Sequence, residues 1–98
     1  MSAWPFSDAP NVASFTVRDI VQKKKPILLV CHDSDDGSWQ FLPDESVSTA
    51  DAMVVALREI VELDPTLVEL ADLPLGWRTS RPTQQSAWTR SQMDGDDA

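Results

Sequence analysis

The sequence predicts a two-layer α+β domain: a small antiparallel sheet built on a central β-hairpin, packed on one face by a main helix plus a short second helix. Three observations predict it. Ile27-Leu28-Leu29-Val30-Cys31-His32 is apolar without alternation, the pattern of a strand buried on both faces. Asp36-Gly37 is a strong hairpin-turn dipeptide, and Ser38-Trp39-Gln40-Phe41-Leu42 returns as the partner strand until Pro43 stops it. Met53, Ala56, Leu57, Ile60 and Leu63 then recur at helical spacing, so one face of a helix meets the sheet.

The elements follow in chain order. Residues 1–13 mix Pro, Ser, Asp and Asn without periodicity and are expected as an arm, with Trp4 and Phe6 able to dock on the body. Thr16-Val17-Arg18-Asp19 fits a capping box that opens a short helix through Lys23, with Lys23, Lys24 and Lys25 at its negative end. Ser14–Arg18 also fits a strand, since Phe15 and Val17 alternate with polar residues, and both readings stand at this point. Pro26 ends the helix of the first reading, and the hairpin runs from Ile27 to Leu42. Ser48 or Thr49 caps the main helix, Thr49–Leu63, with Asp51, Arg58, Glu59 and Glu62 on its wet face. Asp64-Pro65 starts the second helix, Pro65–Ala71, with Asp64 as cap and the proline in the first turn. Asp72–Gly76 breaks the chain. Trp77–Arg81 is expected as a third strand, with Trp77 and Thr79 on one side and Arg78 and Ser80 on the other, within a sheet of two to four strands. The body therefore spans 14–90, and 91–98 is expected as a disordered acidic tail.

Composition narrows the function classes. The chain has 98 residues, one domain's worth, and 42% hydrophobic and 24% charged residues, which is globular usage. A net charge of −8 repels phosphate backbones and argues against nucleic-acid binding. The start, Met1 to Pro5, has neither the basic nor the apolar region of a signal peptide, and no apolar run approaches a membrane span. With a single cysteine, Cys31, no internal disulfide forms, so a reducing cytoplasm and no membrane association are expected.

The candidate chemistries are thin. Cys31 and His32 are neighbours on a strand and point to opposite faces, which prevents them from acting as nucleophile and base. One histidine and one cysteine exclude a structural zinc centre within the chain. Asp33-Ser34-Asp35-Asp36-Gly37 imitates a calcium loop, but its glycine falls at the fifth position rather than the sixth, and Asp44 stands where the loop's last glutamate belongs. No glycine-rich phosphate loop is present. No cofactor and no metal are therefore expected, and the chain does not read as an enzyme.

Charge is segregated along the chain. From Leu28 to Asp72 every charged residue except Arg58 is acidic, whereas Leu73–Met93 holds Arg78, Arg81 and Arg90 among Trp77 and Trp88 and has no acid. Arg and Trp are enriched at binding hot spots, yet the same strip can lie across the acidic body, each arginine pairing with a carboxylate or stacking on a tryptophan. The candidate binding surface is His32, Asp33, Asp35, Asp36, Trp77, Arg78, Arg81 and Trp88.

The string His32-Asp33-x-Asp35-Asp36-Gly37-x-Trp39-Gln40-Phe41-Leu42, followed by Asp64-Pro65-Thr66-Leu67 and Leu70-Ala71-Asp72-Leu73-Pro74-x-Gly76-Trp77-Arg78, resembles a group of short uncharacterised bacterial proteins. More distantly it is similar to a domain of unknown function that also occurs as an immunity protein in bacterial toxin systems. The resemblance covers Ile27 to Arg81, and Trp77-Arg78 departs from the small or apolar residues expected after the glycine. It implies no catalytic residue. It implies a non-catalytic module that binds another protein, and the acid-rich composition predicts that this partner carries a basic surface. Two other readings are carried forward: a small-ligand or hydrolytic domain using His32, Asp33 and Arg78, and a homodimer through an uncovered sheet face or a free strand edge that buries Trp39 or Trp77.

Overall fold

The structure is a computed structural model that describes residues 4–44 and 46–93. The chain runs through β1 (Ala13–Val17), α1 (Arg18–Val21), β2 (Leu29–His32), β3 (Trp39–Leu42), a 3₁₀ turn (Thr49–Asp51) and β4 (Ala52–Ala56). It continues through α2 (Leu57–Leu63), a 3₁₀ helix (Pro65–Leu70), β5 (Trp77–Ser80) and β6 (Thr89–Gln92). The strands form one six-stranded sheet in the order β4-β1-β3-β2-β5-β6. β1 and β3 run parallel and all other neighbours antiparallel, so the small α+β domain has a mixed sheet rather than the purely antiparallel one expected.

β2 and β3 pair antiparallel in the middle of that order, with Val30 opposite Phe41 and His32 opposite Trp39. The turn between them closes through Asp33 N–H to the Ser38 carbonyl (2.9 Å) and Gly37 N–H to the Asp33 carbonyl (3.1 Å). Gly37 sits at φ 75°, a left-handed conformation that a Cβ disfavours, which is why Asp-Gly marks this corner.

Of the two readings left open for Ser14–Arg18, the strand is the one adopted. Thr16 does not cap a helix. Its hydroxyl donates to the Phe41 carbonyl across the sheet (2.7 Å, buried). The helix that follows is a single turn, and Lys23 at φ 63° ends it.

The expected main helix Thr49–Leu63 is a correction. Ser48 does cap a turn, its hydroxyl accepting from Ala50 N–H, but that turn is a short 3₁₀ one. Ala52–Ala56 leaves it as an edge strand, paired with β1 from Ala13 opposite Ala56 to Val17 opposite Ala52. Helix begins only at Leu57. Val54 and Val55 are β-branched and favour a pleated surface, and β1 offers a free row of amides that a helix cannot satisfy. The second helix forms as expected at Asp64-Pro65, though as 3₁₀ and ending at Leu70: Asp64 Oδ1 accepts from Thr66 N–H (3.1 Å) and Thr66 Oγ1 (2.6 Å).

One face of the sheet carries the core. Val30, Trp39 and Phe41 pack there against Leu57 and Ile60 of α2, Leu67 and Leu70 of the 3₁₀ helix, Ile20, Leu73 and Phe6. Each buried aliphatic or phenyl group stabilises the fold by roughly 1.5–3 kcal/mol against exposure. Residues 4–8 belong to this layer. Phe6 meets Trp39 edge-on at 5.5 Å, and Asp8 accepts from Trp39 Nε1 through its carboxylate and from Trp4 Nε1 through its carbonyl, both at 2.7 Å.

At the other end β6 pairs with β5, Arg78 facing Ser91 and Trp77 facing Gln92. Ser91 and Gln92, assigned to the tail from the sequence, are thus strand residues. Positions 94–98 of that expected tail lie outside the described residues. Among the described residues no helix is long and apolar enough to cross a membrane.

Candidate functional site: a cleft on the open sheet face

Strand alternation sorts the residues of interest onto two faces. Successive cross-strand partners give one row across all six strands: Val54, Phe15, Gln40, Cys31, Arg78 and Ser91. This row faces away from the core, and in it Val54 is 60% and Phe15 41% exposed. Among the described residues no helix covers this face, so the two neighbouring apolar side chains stand on a surface that a partner can cover.

Beside this row lies a cleft of ≈ 380 Å³. Phe15, Val17, Leu42, Val47 and Ala52 form its apolar side, and Asp33, Asp36, Ser38 and Gln40 its polar side. Asp33 is held in place by Gln40 Nε2 (2.7 Å) and Ser38 Oγ (3.3 Å), both donating to Oδ2. Asp36 Oδ1 accepts from Ser38 N–H at 3.0 Å, and these bonds from Ser38 hold its carboxyl below the ordinary value of 3.8. The turn thus presents fixed negative charge at the end of an apolar floor, with Asp35 exposed at its tip.

The other sequence candidates lie elsewhere. His32 pairs with Trp39 and Trp77 and shares their face, opposite to that of Arg78. Its ring stacks on Trp39 at 3.8 Å and 13°, and Nδ1 lies 2.7 Å from the Leu73 carbonyl. A carbonyl only accepts, so Nδ1 carries a proton and the ring is fixed as a structural donor. His32, Asp33 and Arg78 therefore do not converge on one concave site.

Arg81 is withdrawn from the surface altogether. Its Nη2 meets Asp64 Oδ2 at 2.6 Å, with side-chain exposures of 1% and 5%. Nε and Nη2 donate to the Ile27 carbonyl (3.1 and 3.0 Å), Nη1 donates to Thr66 Oγ1 (3.1 Å), and the guanidinium lies 4.0 Å from the Trp88 ring centre. Arg90 Nη2 reaches Asp72 Oδ1 at 2.7 Å and the Glu69 carbonyl at 3.0 Å. Both arginines thus tie the C-terminal segment to the acidic body.

Of the eight residues singled out from the sequence, only Asp33 and Asp36 line the cleft, and Arg78 shares its face of the sheet. Phe15, Leu42, Val47 and Ala52 were missed. The signal for Phe15 lay in its alternation with Thr16, which the helical alternative masked. Among the described residues no cluster of three or more His, Cys, Asp or Glu side chains is arranged to hold a metal ion. A second cleft of ≈ 270 Å³ at the end of α1 has Lys23, Lys24, Lys25, Asp64 and Gln84 in its lining; Lys25 Nζ stands 3.8 Å from Asp19. Compared with known protein families, curated proteins and solved structures, the chain matches none.

Proposed function

We propose that this protein is a non-catalytic binding module that covers a basic surface on another protein, of the immunity type that the sequence resemblance implies. The observation that carries this reading is the cleft on the open face: an apolar floor of Phe15, Leu42 and Ala52 ending in the fixed carboxylates of Asp33 and Asp36. Interfaces combine a water-excluding apolar centre with a polar rim, and a net charge of −8 draws in a basic partner and rejects acidic ones. The hydrolytic alternative finds less support, since its three residues are split between the two faces of the sheet.

The test is affinity capture from the native host with the wild-type chain and a Phe15→Glu, Leu42→Glu variant as parallel baits. The reading expects a basic protein identified on the wild-type bait, released by about 0.5 M salt as screening shortens the reach of charge, and missing from the variant. If nothing distinguishes the two baits, or if the retained protein is acidic and indifferent to salt, the reading fails.

A further inference from the structure

We infer that the outer edge of β4 is a self-association surface, where a second copy of this chain adds its own β4 antiparallel about a two-fold axis at Val54. β4 ends the sheet, and among the described residues no strand pairs with its outer edge. Leu57 N–H donates to the Val12 carbonyl at 2.8 Å, and Ser14 Oγ donates to the Val55 carbonyl at 3.0 Å. The alternation of an antiparallel ladder then turns the amides of Met53 and Val55 toward β1 and those of Ala52, Val54 and Ala56 outward.

Local contacts already engage the two end donors. Ala52 N–H goes to the Thr49 carbonyl, and Ala56 N–H goes to Glu59 Oε1 at 3.3 Å. The N–H and C=O of Val54 remain for a partner, at the middle of the strand. A long foreign strand would need the end donors as well, whereas two-fold pairing at Val54 needs only the exchange of two bonds between the two copies of that residue.

The sequence lacks the usual protection of an edge. Ala52–Ala56 contains no lysine, no proline and no charged residue, whereas β6 at the opposite edge is Thr-Arg-Ser-Gln and fully polar. The axis stands perpendicular to the sheet, so both open faces lie on one side. The exposed row of one copy then continues into that of the other, and Val54, its most exposed apolar side chain, packs beside Val54 of the second copy while Phe15 stays on the open face.

Charge selects a second copy over an unrelated strand. Antiparallel pairing at Val54 sets Asp51 of each copy opposite Leu57 of the other, one residue from Arg58. Arg58 is the single basic residue between Leu28 and Asp72, it is exposed, and among the described residues it makes no ion pair. Two reciprocal Asp51–Arg58 contacts result. The contact is smaller than a standard interface, and two chains of charge −8 repel, so the dimer is weak, with half-association expected at about 0.1–1 mM.

Sedimentation equilibrium of the full chain between about 10 μM and 1 mM, at roughly 0.15 M salt where screening is about 8 Å, should show the mass rising from 10.9 kDa toward twice that value. Val54→Lys places like charges at the axis and should weaken association by roughly tenfold or more. Asp51→Arg alone and Arg58→Asp alone should each stay monomeric, and an equimolar mixture of the two should associate again. A monomer mass at every concentration, a dimer that survives Val54→Lys, or a mixture that fails to associate would each overturn the inference. Both charged positions are exposed, so these two variants keep the test available should Val54→Lys fold poorly. Failure here leaves the cleft reading intact, because capture of a partner through Phe15 and Leu42 is read independently of self-association.

Discussion

Replacing Arg81 with alanine should cost more stability than any other single charge removal in this protein. The guanidinium is buried, and it satisfies Asp64 Oδ2, the Ile27 carbonyl and Thr66 Oγ1 at once. Deleting one partner of a buried, hydrogen-bonded ion pair costs about 3–5 kcal/mol, because the remaining charge stays out of water without compensation. The stacking of Arg81 on Trp88 adds about 0.5–1 kcal/mol to the loss. A domain of this size holds roughly 5–15 kcal/mol in all, so Arg81→Ala should leave a marginal or partly unfolded chain. Asp64→Asn can keep its one acceptor oxygen on the Thr66 cap but turns an NH2 donor toward Arg81 Nη2, so it loses the charge and that bond. It should still cost less than Arg81→Ala, which also loses the bonds to Ile27 and Thr66. The assay is urea unfolding followed by tryptophan fluorescence, with Arg81→Ala, Asp64→Asn and the double variant closing a cycle. Coupling of about 1–3 kcal/mol between the two positions is expected. A loss below about 1 kcal/mol for Arg81→Ala, or additive effects in the cycle, would refute the idea that this pair fastens the C-terminal segment to the body.

Two further outcomes follow from the same structure. Thr79 is almost fully buried, and its hydroxyl has no hydrogen-bond partner among the described residues, so Thr79→Val should raise unfolding stability by about 1 kcal/mol, read as a higher urea midpoint with an unchanged slope; a loss of stability would mean that the hydroxyl is satisfied in solution. The Arg90 side chain, through hydrogen bonding and then charge, holds the exposed Asp72 carboxyl below its ordinary 3.8. A depressed carboxylate contributes stability above its unfolded value and loses it as pH falls through the folded one, so the stability gap between wild type and Arg90→Gln should be present at neutral pH and close below the ordinary carboxylate range; a gap that persists at pH values below that range would contradict the pairing.

Much of the local structure was legible in the residues because local chemistry decides it. Asp36-Gly37 makes a corner wherever the chain needs φ near 75°, Asp64-Pro65 starts a helix with its own cap, and Trp77–Ser80 alternates so regularly that its two faces follow directly. Asp33 and Asp36 could be placed on the candidate surface from the turn alone. Ser14–Val17 and Ala52–Ala56 were different. Each carries a pattern that suits a helix as well as a strand, and what resolves them is their pairing with each other across 35 or more positions of chain. No window of sequence contains that information.

Residue chemistry along the chain specifies a small acidic α+β domain, its aspartate-glycine corner and the antiparallel pairing of the strands that meet there. Long-range packing makes the valine-rich segment an edge strand, sets β1 parallel to β3, and leaves Phe15 and Leu42 beside an open cleft while His32 faces the core. Turn and cap preferences act over a few residues. Which side of a strand is buried depends on where distant helices pack, and that is settled by the free energy of the whole core.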